Sequence, residues 1–243
     1  MIQKTSHTTL MLLLAGSGSR FESRIPKQFL NLTNTEDNVP LFIQSVIALS
    51  KFVFIDHLIL VVSKEYIEST EFLEPLNTYK KSISSMRIDI AEGGKTRHES
   101  FLKGADLVSH HENSSLMIHD ANRPFISESF GLSISEQLNT LSNQRACLIP
   151  VIPTIDSLCK VSLEGENWGQ IINYIPRENT YRIQTPQLIF SPILEEALAK
   201  AKMYSTGTEY TDEGSFMSSM GFKVFTFAGD PANIKITTKN DLL

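Results

Sequence analysis

Apolar runs and amphipathic stretches alternate along much of the chain. Residues 9–15 form a continuous apolar run that leads into Gly16, as a strand covered on both faces would. Residues 40–50 place Leu41, Val46 and Leu49 in a helical pattern, and His57–Val62 (HLILVV) is a second strand. Residues 86–91 predict a third strand and residues 99–108 a helix. A strand at 116–118 runs into His119-Asp120, then a helix covers 130–141 and a strand 146–151. This alternation predicts an α/β fold, a mostly parallel sheet with helices on both faces.

One stretch breaks the rhythm. Residues 158–175 contain two strand-like runs, CKVSL and QIINYI, around the turn-rich Glu164-Gly165-Glu166-Asn167. They predict a β-hairpin arm that protrudes from the sheet, although a surface hairpin without a role has the same pattern. Neither an internal repeat nor a linker divides the chain, so residues 1–243 are expected to form a single domain.

Composition narrows the functional classes. Of 243 residues 41% are apolar and 20% charged, enough to bury a core. A net charge of −5 argues against a nucleic-acid coat, so a phosphate site must be a local cluster of cations and backbone N–H groups. Cys147 and Cys159 form neither a zinc motif nor a disulfide framework, which points to a reducing cytoplasm. The apolar run at 10–15 is too short to cross a membrane, and no signal peptide is expected.

The candidate chemistry begins after the first strand, at Ala15-Gly16-Ser17-Gly18-Ser19-Arg20, followed by Pro26-Lys27-Gln28. Gly16 and Gly18 allow close backbone approach to phosphates, and Arg20 and Lys27 add positive charge. A dinucleotide fingerprint would need a small residue where Phe21 stands. Gly94-Lys95-Thr96 ends like a P-loop, but Asp89 occupies the position of the first glycine. The six histidines show no metal-ligand spacing, and no Ser-His-Asp or Cys-His set is legible. Asp120, at the carboxyl end of a strand, lies where such sheets bind ligands, although a turn or capping aspartate would look the same locally.

The longer string LLAGSGSRFESRIPKQFL is far more specific. With EGGKTRHES, HDANRPFIS, IPRENTYRIQTPQLIF, TDEGSF and NIKITTKNDL, in that order, it resembles the 2-C-methyl-D-erythritol 4-phosphate cytidylyltransferase family, including its relatives that make CDP-ribitol. The resemblance implies a Rossmann-like sheet whose arm, here 158–175, makes a homodimer. It also implies attack by a substrate phosphate oxygen on the α-phosphorus of CTP, with Mg²⁺ as cofactor and a small alditol phosphate as acceptor. Neither nucleic acid nor membrane is an expected partner.

The same resemblance distributes roles. Arg20, Lys27 and Lys235 become the catalytic cations. Ala15, Gly16, Gly18, Gly93, Gly94, Ser100 and Ala121 bind the nucleotide, with Ala15, Gly93, Gly94 and Ser100 at the cytosine. Asp120 holds the metal, with Asn233 a further group at the metal site. Arg123, Arg177, Thr185 and Thr211 meet the second substrate, Arg177 and Thr185 from the neighbouring subunit.

Three departures bear on the acceptor: Thr180-Tyr181 where the isoprenoid enzymes usually have Leu-Trp, Leu13-Leu14 where they commonly have Pro-Ala, and extra residues at 34–38. Methylerythritol phosphate is the first expectation and ribitol 5-phosphate, for surface polysaccharide precursors, the alternative. A non-catalytic nucleotide-binding protein would be favoured by loss of Lys27, Asp120 or Lys235. All three are present.

Overall fold

The computed structural model describes residues 7–16, 21, 23–31, 39–83, 86–109, 114–165, 168–204 and 208–242. Gly18, Arg20 and the extra residues at 34–38 lie outside the described residues, as do Glu166 and Asn167 of the arm's turn. In chain order the elements are β1 (His7–Leu13), α1 (Leu41–Ser50), β2 (His57–Val62), α2 (Thr70–Thr78), β3 (Arg87–Glu92) and α3 (Arg97–Ala105). Then come β4 (Ser114–Asp120), α4 (Glu128–Gln144), β5 (Cys147–Pro153), β6 (Leu158–Val161), β7 (Ile171–Ile175) and β8 (Tyr181–Ile183). The last are β9 (Gln187–Phe190), α5 (Ser191–Tyr204), α6 (Glu213–Ser219) and β10 (Val224–Ala228).

The main sheet runs β10-β5-β9-β4-β1-β2-β3, with β8 beside β5. The pairs β1–β2, β1–β4, β2–β3 and β5–β10 are parallel, whereas β9 is antiparallel to both β4 and β5. Successive side chains of a strand point to opposite faces. Every residue of β2, β4 and β9 is buried, so both faces of the sheet are covered. The mostly parallel α/β sheet expected from the apolar runs is what the chain forms.

Helix α3 packs across β1, β2 and β3, and Gly104 lets it do so. A Cβ there would come within 2.8 Å of Val61 and 2.9 Å of Met11 side chains. Helix α4 lies on β4, β5 and β9, while α6 packs on β5 and β10. The side chains of Ser69, Thr96, Ser127 and Asp212 cap α2, α3, α4 and α6 by accepting from a backbone N–H. The Thr96 cap starts α3 at Arg97, two residues earlier than apolar spacing alone suggests.

Strands β6 and β7 pair antiparallel in a separate two-stranded sheet, the hairpin expected at 158–175. Gly165 and Gly169, at φ +60° and +79°, take left-handed conformations in its turn that other residues adopt only with strain. Its side chains project outward: Trp168, Ile172 and Tyr174 are 70%, 67% and 68% exposed. Among the described residues no helix is long and apolar enough to cross a membrane.

Candidate active site

The carboxyl ends of β1 and β4 lie side by side, with Leu13 in register with Asp120. From β1 the chain passes into the glycine loop through Ala15 and Gly16. Gln28 is buried, and its amide donates to the carbonyls of Leu14 (2.5 Å) and Gly16 (3.0 Å). Phe29 is held by Tyr66 and Phe42, with ring centroids 5.1 and 5.8 Å away. Lys27 heads this short 3-10 turn, so two buried neighbours fix where its backbone sits.

A second wall comes from the end of β3. A Cβ on Gly93 would collide with the Ala15 side chain, so only glycine allows this approach. The Gly94 N–H donates to the Ser100 hydroxyl at 3.0 Å, and that hydroxyl donates to the Thr96 carbonyl at 2.8 Å. Ser100, buried inside α3, thus ties the Gly93-Gly94 turn to the helix.

Between these walls is a cavity of about 360 Å³. Among its lining residues are Ala15, Gly16, Lys27, Gly94, Ser100, Asp120, Ala121 and Lys235, eight of the residues singled out from sequence. Gly93 lines the adjoining, wider cleft together with Ala15, Gly16 and Gly94.

Asp120 is the centre of an ionic network. Its Oδ2 accepts from Lys235 Nζ at 2.7 Å, and its Oδ1 accepts from Arg97 Nη2 at 3.3 Å and Nε at 3.4 Å. Arg123 Nε stands 3.7 Å from Oδ2. Burial pushes the Asp120 carboxyl up, but Arg97, Lys235 and Arg123 together hold it far below the usual carboxylate range. Arg97 is itself gripped from behind by Glu213, which is 1% exposed and accepts from Nη1 and Nη2 at 2.5 and 3.0 Å. Burial outweighs Arg97 at Glu213 and raises that carboxyl's pKa. Arg97 stays firmly charged, because its two carboxylate partners overcome the cost of its burial.

A hydrogen-bond relay seats the backbone of Asp120. Its N–H donates to the Thr185 hydroxyl (3.1 Å), which lies 3.0 Å from Nδ1 of fully buried His119. The other His119 nitrogen, Nε2, is 2.9 Å from the Arg123 carbonyl and must donate there, so Nδ1 accepts from Thr185. Burial lowers the His119 pKa to about 4, and the ring is neutral near pH 7. Arg123 Nη1 donates to the Asn233 carbonyl at 2.8 Å. The Asn233 amide donates to the Thr185 carbonyl at 2.8 Å, while its Oδ1 is buried without a hydrogen-bond donor. On the far side of Lys235, Asn122 and Ile236 bond reciprocally, Nδ2 to carbonyl at 2.6 Å and N–H to carbonyl at 2.9 Å.

The remaining sequence candidates lie elsewhere. Arg177 is exposed at the base of the arm, with Nη1 3.3 Å from the Ile155 carbonyl. Thr211 is exposed just before α6. Neither lines the cavity. Sequence reasoning missed Arg97 and Glu213, although both stand in the strings EGGKTRHES and TDEGSF. The available signal was a charged residue inside each string with no role assigned to it.

Comparison with known proteins agrees with this geometry. The family model described as "IspD: 2-C-methyl-D-erythritol 4-phosphate cytidylyltransferase" matches residues 8–243. The chain is 31% identical over 240 residues to the 2-C-methyl-D-erythritol 4-phosphate cytidylyltransferase of Thermosipho melanesiensis, covering 96% of this chain and 93% of that one. It is 37% identical over 155 residues to a bifunctional IspD/IspF enzyme of Bartonella bacilliformis, where the match takes in 64% of this chain and only 37% of the longer protein. The fold is similar to the crystal structure of the Francisella tularensis cytidylyltransferase, with a TM-score of 0.72 at 22% identity over 97% of this chain and 96% of that one. A family match over nearly the whole chain, on a sheet that brings four of the six strings into one cavity, leaves a single assignment: this chain belongs to the 2-C-methyl-D-erythritol 4-phosphate cytidylyltransferase (IspD) family.

Proposed function

We propose that this chain transfers CMP from CTP to 2-C-methyl-D-erythritol 4-phosphate and releases pyrophosphate, as a cytoplasmic homodimer. The observation that carries the reading is the meeting of Lys27, Lys235, Ala15 and Gly16 beside an ionised Asp120 in one cavity. In the reaction an oxygen of the acceptor's phosphate forms a bond to the α-phosphorus of CTP. The bond from that phosphorus to the bridging oxygen breaks, and pyrophosphate leaves with the electron pair. Negative charge crowds the α-phosphorus at the transition state, and cations already in position stabilise it. Lys27 and Lys235 supply that charge, with Arg20 in the same group. Ala15, Gly93, Gly94 and Ser100 form the wall for the cytosine, Gly16, Gly18 and Ala121 approach the phosphates, and Arg123 is the acceptor-phosphate cation.

The donor set at Asp120 fits Mg²⁺, which takes one or two carboxylates and draws its other ligands from phosphates and water. An ionised carboxylate offers about four lone-pair positions, so the contacts from Arg97 and Lys235 leave room for a metal bond. Bound there, Mg²⁺ would neutralise phosphate charge. The arm supports the dimer, since its exposed apolar side chains need a partner surface. An arm crossing a two-fold axis would carry Arg177 toward the other copy's acceptor, whereas Thr185, expected from the neighbouring subunit, is buried against Asp120 and His119 of its own chain.

Pyrophosphate release from CTP, measured in parallel with 2-C-methyl-D-erythritol 4-phosphate and ribitol 5-phosphate, tests the reading. The expected result is a much higher kcat/KM with the first. The reverse order would reassign the acceptor, and no turnover with either would overturn the alditol phosphate reading.

A further inference from the structure

Lys235 lies on an irregular segment that follows β10, so no ladder of backbone hydrogen bonds sets its place. Asn122 holds the far side of the segment. On the near side Arg123 reaches the Asn233 carbonyl, and a second buried side chain, Gln184, makes three further contacts. Its Nε2 donates to the carbonyls of Asp230 at 2.8 Å and Asn233 at 3.2 Å, and its Oε1 accepts from the Asp230 N–H at 3.0 Å. Gln184 is itself fixed, because its N–H donates to the Pro150 carbonyl on β5 at 2.8 Å. Gly229, at the start of the segment, admits this arrangement: a Cβ there would stand 2.5 Å from Gln184 Oε1.

The chemistry of the contact is specific. The segment presents both a donor and acceptors to one side chain, and a neutral primary amide offers both kinds of group at adjacent positions. A carboxylate could accept from Asp230 but could not donate, and an apolar side chain would leave buried backbone groups unsatisfied. Two residues beyond Asn233, Lys235 reaches Asp120 at 2.7 Å.

We propose that Gln184 is a positioning residue for the transfer reaction: it acts through residues 229–235 to set the Lys235 ammonium over Asp120 and the cavity. The proposal rests on the transferase reading above. If Gln184 merely packs the fold, its loss and the loss of Lys235 act independently and their effects multiply. If it works through Lys235, removing Lys235 first leaves Gln184 little to affect.

The test is a double-mutant cycle on the full-length protein: wild type, Gln184→Ala, Lys235→Ala and the double variant, each assayed for kcat and KM and each melted. Gln184→Ala is expected to lower kcat/KM by about tenfold to a hundredfold alone, and by less than about threefold in the Lys235→Ala background. Multiplicative losses would overturn the proposal. Should Gln184→Ala fail to fold, Gln184→Glu keeps the shape and the acceptor but removes both donated bonds, and the same non-additivity is expected of it. A wild type without turnover would instead sink the transferase reading. A fully active Lys235→Ala would remove Lys235 from the mechanism, and the proposal would fall with it.

Discussion

The floor of the cavity and the β6–β7 arm depart from ordinary protein composition in opposite directions. On the floor, Asp120, Arg123, His119, Glu213 and Asn233 are buried polar groups. On the arm, Ile172, Tyr174 and Trp168 are large apolar side chains turned to water. Buried charge persists only where partners offset its desolvation, and Asp120 has three cations within 3.7 Å. Among the described residues the arm has no equivalent within its own chain, and an isolated two-stranded hairpin is marginal in water. One region is therefore completed by this chain and the other calls for a second surface. The floor should respond to substitution in dilute monomer, and the arm only where copies can meet.

The largest expected effect belongs to Lys27 on the cavity wall. Lys27→Ala should lower kcat by about 10²–10³ and leave the melting temperature little changed, because the charge acts on the transition state. A normal kcat with a raised KM for CTP would show a lysine that only binds.

Next is Asp120→Asn, which removes the carboxylate and leaves its cations facing one another. It should cost about 3 kcal/mol in urea denaturation, the low end for a broken buried pair because Arg97 and Lys235 keep access to water. Calorimetry should find the metal dependence of CTP binding gone. Unchanged stability would mean the network is solvated.

His119 gives a smaller effect with a defined sign. Its folded pKa lies below its unfolded value, so the unfolded chain binds the extra proton first. Stability from this group should be complete above about pH 6.5 and decline as pH falls toward 4, by about 1–3 kcal/mol. Denaturation curves of metal-free protein across that range should show the slope, and His119→Gln should flatten it. An equal slope in the variant would assign it to another group.

The smallest change in monomer stability should come from the arm. Ile172 and Tyr174 lie on one face of β7, so Ile172→Lys with Tyr174→Lys places two charges where a partner would sit. Unfolding at concentrations too low for dimers should move by less than about 0.5 kcal/mol. Sedimentation should show the dimer dissociation constant rising about tenfold or more, since each apolar side chain contributes about 1.5–3 kcal/mol when buried. Unaltered self-association would break the contrast between the two regions.

The sequence disclosed the parallel half of this molecule more readily than the rest. Strands β1, β2 and β4 are covered on both faces, so they read as apolar runs wherever they occur. Strand β9 is equally buried, but QLIF is too short to distinguish a strand from a helix start, and nothing local announces that it enters the sheet antiparallel. Helix α3 was displaced because Thr96 sets its start by capping, a signal apolar spacing ignores. The site followed the same rule. Lys27, Asp120 and Lys235 sit in recognisable strings, whereas the task of Arg97 is defined by Glu213, 116 residues away. The partners of Gln184 are likewise set by tertiary structure alone.

The place of β9 also has a consequence for the order in which the chain can assemble during synthesis. Strands β1 to β4 are neighbours that emerge early and can pair as they appear. Strand β5 emerges next with no neighbour to join, for β8, β9 and β10 all follow the arm. Until residues 181–190 begin to leave the ribosome, β4 keeps one open edge and β5 two, each a row of unpaired backbone groups able to template a wrong partner. The join between the two parts of the sheet is therefore a late event in vectorial folding, and it depends on contacts of long sequence separation that close slowly. A nascent chain stalled within the arm would hold its first strands in register beside β5, an apolar strand open to aggregation.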